Sequence, residues 1–67
     1  MKKFTLKKAK GRKYIELVQV DSDDWFYDIR YFNTRKPEKG GMITKNQIPK
    51  WTAMYTKNGY SVTEEDI

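Results

Sequence analysis

The sequence predicts an α+β fold: a three-stranded antiparallel sheet, four-stranded if the N-terminal segment joins it, packed against one C-terminal helix. Three observations predict it. Two neighbouring runs rich in β-branched and aromatic residues flank a short acidic turn, an apolar stripe at helical spacing lies near the C-terminus, and ten aromatic rings occur in only 67 residues. Each ring buries on the order of 150 to 250 Å², which gives so short a chain material for a core.

Residues 1–13 form a basic arm in which Phe4 and Leu6 suit an edge strand. Tyr14 to Val20 and Trp25 to Phe32 follow as a hairpin, with Asp21-Ser22-Asp23-Asp24 as its turn. Side chains alternate along a strand, so Trp25, Tyr27, Ile29 and Tyr31 share the core face, and Phe26, Asp28, Arg30 and Phe32 the opposite one. The stretch from Asn33 to Gly41 holds Asn, Pro and Gly with no apolar side chain and reads as a mobile loop before a short strand at Met42-Ile43. Thr44 and Gln47 have capping-box spacing, and Ile48, Trp51, Thr52 and Tyr55 line one face of the helix that follows. Pro49 is tolerable only if the helix starts late, at Asn46 or Ile48, because within a helix it forfeits a backbone hydrogen bond. Asn58-Gly59 is the stop, with Gly59 suited to a left-handed backbone. The single domain then spans residues 14–62, and the acidic residues 63–67 are expected to fray.

Composition narrows the function. Without Cys or His there is no disulfide, thiolate metal site or near-neutral proton shuttle, so neither an enzyme nor a metal or cofactor is expected. Asp21, Asp23 and Asp24 resemble the start of a calcium loop, but neither its glycine nor its closing glutamate follows, which leaves a solvated turn. Lys7 and Lys8 interrupt the N-terminal apolar run before a signal sequence can form, and no segment reaches membrane-spanning length; a cytoplasmic protein without membrane contact is expected.

The net charge of +5 divides into blocks of +7 over residues 1–13, −4 over 14–34, +5 over 35–57 and −3 in the tail. In an antiparallel hairpin the start of the first strand and the end of the second lie together, so Lys10, Arg12 and Lys13 should neighbour Arg35, Lys36 and Lys39 and form a phosphate-binding rim. Lys45, at the helix start, adds a further backbone contact. Arg30 is the candidate for base contact, and Phe26 and Phe32 beside it suit stacking on bases. The favoured reading nevertheless has the N-terminal segment covering these two rings, with Phe4 and Leu6 packed across them, because exposed rings are a liability in a monomer.

The stretch Trp25-x-Tyr27-x-Ile29-x-Tyr31, then Arg35-Lys36 and Lys39, then Gly41-Met42-Ile43-Thr44-Lys45 and Trp51, resembles the AP2-like, arm-type DNA-binding domain at the N-terminus of phage and transposon integrases. The resemblance covers under half the chain. It implies a three-stranded sheet held by a helix, with the outer sheet face in a DNA major groove. The resulting expectation is a small accessory protein of a phage or mobile element that grips double-stranded DNA with its sheet face and basic rim. The alternative is a protein-binding module, or modulator of a host factor, that presents its exposed aromatics.

Overall fold

Lys2–Lys7 forms β1, Lys13–Gln19 β2, Asp24–Tyr31 β3 and Pro37–Thr44 β4; a 3₁₀ turn at Lys45–Gln47 leads into α1, Ile48–Lys57, and Ser61–Asp66 forms β5. This computed structural model describes residues 1–32 and 37–67. The strands make one antiparallel sheet in the order β4-β3-β2-β1-β5. The α+β class is as expected, whereas the strand count is five rather than three or four, and the helix is followed by a strand instead of ending the fold.

Both differences arise from β5. Residues 63–66 do not fray; they pair with β1 in a register that sets Lys2 opposite Asp66, Lys3 opposite Glu65 and Phe4 opposite Glu64. Lys2 Nζ lies 3.8 Å from Glu64 Oε1. Opposite charges on facing strands favour that register, and β1, expected at an edge, lies inside the sheet.

The hairpin of β2 and β3 has the expected faces. Ile15 faces Ile29, Leu17 faces Tyr27 and Gln19 faces Trp25 on the helix side. Buried Leu6, Ile15, Leu17, Trp25, Ile43 and Ile48 form the core, closed over by half-buried rings. Phe4 stacks on Trp25 with centroids 5.4 Å apart, and Tyr27 meets Trp51 at 4.7 Å.

Of the segment from Asn33 to Gly41 expected as a loop, residues 33–36 lie outside the described residues and Pro37 to Gly41 are strand. Gly40 and Gly41, taken as turn formers, pair with Asp28 and Tyr27. A Cβ on Gly41 would stand 3.0 Å from the Tyr27 ring, so the missing side chain lets that ring lean over β4 toward Trp51. Pro37 opens β4 beside an irregularity at Ile29/Arg30, where a missing N–H is tolerated. The helix begins at Ile48, which puts Pro49 in its first turn, where no N–H partner is required. Ahead of it, the Thr44 N–H donates to Gln47 Oε1 at 3.0 Å. Gly59 has φ 91°, the left-handed end expected of it.

Candidate nucleic-acid interface

The helix covers one face of the sheet and leaves the other open. Phe4 and Leu6 belong to the covered side, Leu6 in the core and Phe4 against Trp25, so they do not lie across Phe26 and Phe32 as expected. Phe26 is 38% exposed and Phe32 54%. Once β1 pairs edge to edge with β2, its backbone lies in the plane of the sheet and cannot also screen it.

The middle of the open face is a charge network. Lys3 Nζ is 2.6 Å from Glu16 Oε2, Arg30 Nε 3.1 Å from Glu16 Oε1, and Arg30 Nη2 donates to Asp28 Oδ2 at 3.4 Å. The Nε contact is Coulombic, since that N–H makes no hydrogen bond. Arg30, the candidate for base contact, is therefore held between two carboxylates, and two cations and two anions leave the patch neutral. The hydrogen bond to Glu16 holds the Lys3 ammonium above its ordinary value of 10.5. This contribution to stability is full below pH 10.5 and disappears as pH rises through the raised folded value. In Glu16→Gln, urea unfolding at neutral pH should show a loss of about 1 kcal/mol. Thermal melts of the variant should lack the alkaline stability loss assigned to Lys3.

Below that network lies a cationic, aromatic end. The connection from β1 to β2 carries Lys8, Lys10 and Arg12, Lys7 and Lys13 flank it in the strands, and residues 7–13 hold no acid. The Gly11 N–H donates to the Lys8 carbonyl at 2.9 Å, which folds these residues into a tight turn. The Phe32 N–H donates to the Arg12 carbonyl at 3.0 Å, and Lys13 pairs with Tyr31, so the cluster adjoins the end of β3 as the hairpin argument requires. Phe32 packs on Tyr14 at 4.9 Å, and Lys7 Nζ sits 5.7 Å from the Tyr14 ring. Gly11, Arg12, Tyr31 and Phe32 line an open cleft of about 530 Å³.

The other candidates are distributed differently. Arg35 and Lys36 lie outside the described residues. Lys39 pairs with Ile29 on β4. Lys45 lies at the opposite end of the strands, where its Nζ is 3.2 Å from Asp23 Oδ1, so it is not part of the rim. The Asp21 carboxylate there accepts from the backbone N–H groups of Asp23 and Asp24, both at 2.9 Å. Those bonds lower its pKa and show the acidic turn capping itself. Among the described residues no cluster has the make-up of a metal site.

Sequence reasoning missed Lys7, Tyr14 and Tyr31 as members of the basic end. The β1 to β2 register, Lys7 opposite Tyr14, is what brings the first two together. A positive, ring-bearing strand end on a small sheet-and-helix domain has the make-up of a polyanion-binding surface. Comparison with protein-family models, with curated proteins and with solved structures finds no match for this chain. No helix among the described residues is long and apolar enough to cross a membrane.

Proposed function

We propose that this chain is a small DNA-binding module that holds the backbone with the cations of residues 7–13 and takes bases on the rings beside them. On the arm-type resemblance of Trp25 to Trp51, its setting would be accessory to a phage or mobile element. One observation carries the reading: residues 7–13 hold five cations and no acid, their turn is tied to Phe32 by the bond from the Phe32 N–H to the Arg12 carbonyl, and Phe32 is more than half exposed and braced by Tyr14. Phosphates supply affinity, and a braced, exposed ring supplies a stacking platform.

The same geometry modifies the expected mode of binding. A duplex pressed along the whole sheet would meet Glu16 and Asp28 in the middle and the acidic turn at the far end. Paired bases show only their edges, whereas unpaired bases offer the flat face that a ring can stack on. Unpaired or locally opened DNA is thus favoured over insertion of the sheet into a groove.

Fluorescence anisotropy with one labelled oligonucleotide, as a single strand and as its duplex, tests this at several salt concentrations. Tighter single-strand binding is expected, with a log-log salt slope of about −3.5 for five contacts at 0.7 each. Tighter duplex binding would restore the groove reading, and salt-independent silence with both forms would end the DNA reading. The alternative of a protein-binding module draws on a different part of the open face.

A further inference from the structure

The open face carries an apolar patch at its other end. Val18, Phe26 and Met42 stand side by side across β2, β3 and β4, and Val20 follows just beyond β2. Met42 is 56% exposed and Val20 46%, and among the described residues nothing covers the group. Asp24 lies on the same face, and Asp21 and Asp23 adjoin it in the turn. Such a surface suits an occupant that offers cations around an apolar ring.

The molecule itself presents that chemistry at the opposite end of the same strands, where the turn that carries Lys10, Arg12 and Lys13 adjoins exposed Phe32 through the bond from the Phe32 N–H to the Arg12 carbonyl. We infer that the Val18-Phe26-Met42 patch docks the cationic end of a second copy of this chain. The two surfaces are roughly 20 Å apart, six or seven residues of strand at about 3.3 Å each. A single copy therefore cannot satisfy itself. The contact joins different patches on the two partners, so it propagates head to tail rather than closing into a symmetric dimer. The molecule measures 32 × 26 × 19 Å, and an end-on contact of that width stays below the roughly 1,200 Å² typical of stable complexes. Association is accordingly transient and is weakened by salt. On the DNA reading above, a docked copy covers Arg12 and Phe32, so self-association and DNA binding exclude one another.

Two variants, each disabling one end, test the inference without any nucleic acid. Phe26→Ser with Met42→Ser removes the apolar patch, and Lys10→Gln with Arg12→Gln and Lys13→Gln removes the cationic end. In sedimentation equilibrium at low ionic strength, the wild-type chain should rise above its 8.0 kDa monomer mass with concentration and return to it in high salt. Each variant alone should remain monomeric, and an equimolar mixture should reach the mass of two chains and no more. A wild type that is monomeric throughout overturns the inference, as does a patch variant that associates like the wild type. If the double variant fails to fold by circular dichroism, Met42→Ser alone is used, with a weakened association expected. Because no DNA is present, failure here leaves the DNA reading to its own experiment.

Discussion

Neutralising Lys10, Arg12 and Lys13 together to Gln should weaken single-stranded oligonucleotide binding roughly 50-fold near physiological salt, at a counterion exponent of about 0.7 per lost contact. The log-log salt slope should become shallower by about 2. Lys10 and Arg12 are exposed on the turn and Lys13 is half-buried beside Tyr31, so the triple variant should keep its fold and report binding alone. Lys45→Gln is the matched control, since Lys45 sits at the acidic end with Asp23. Anisotropy titrations should leave that variant close to wild type. If Lys45→Gln costs as much per charge removed as the triple variant, binding follows net charge and the cationic end is not the site.

Trp25→Ala should nearly abolish the folded state. The indole is buried in β3, stacked on Phe4 and packed with Leu17 and Ile43 in a core of six buried side chains. Truncating a buried Trp to Ala costs about 3 to 5 kcal/mol. A 67-residue domain has roughly 3 to 10 kcal/mol in total at 0.05 to 0.15 per residue. Urea titration followed by near-ultraviolet circular dichroism should show a transition moved almost into plain buffer. Met54→Ala, on the exposed face of α1, should stay within about 0.5 kcal/mol of wild type. A loss under 1 kcal/mol in Trp25→Ala would mean that the sheet and helix are not held together through this ring.

The parts of the fold that were legible in the chain are those governed by local periodicity. Alternation along Trp25 to Phe32 placed Trp25 inside and Phe26 outside, and the 3.6-residue spacing of Ile48, Trp51 and Tyr55 marked α1. A late start, at Asn46 or Ile48, and the left-handed Gly59 followed from the chemistry of proline and glycine, and the structure starts the helix at Ile48. Reading was poorest where a glycine serves a neighbour instead of a turn: Gly41 clears space for Tyr27, a partner revealed only by pairing β3 with β4. The candidate site divides in the same way. The hairpin rule set Lys10, Arg12 and Lys13 at the end of the second hairpin strand, while the ion pairs of Arg30 with Glu16 and of Lys45 with Asp23 join residues far apart in the chain and were not legible in it.

The sequence alone determined the α+β class, the faces of the central hairpin, the helix and its end at Asn58-Gly59, and the cationic character of residues 7–13. The tertiary structure decided that residues 61–66 form a fifth strand on β1, that the sheet face opposite the helix stays open, and that the ends of the strands differ in charge. Periodicity and turn chemistry act between residues a few positions apart, and each segment carries that information within itself. Strand order and ion pairing join residues as distant as Lys2 and Asp66, and the choice depends on which of many possible partners best satisfies charge, backbone and core together.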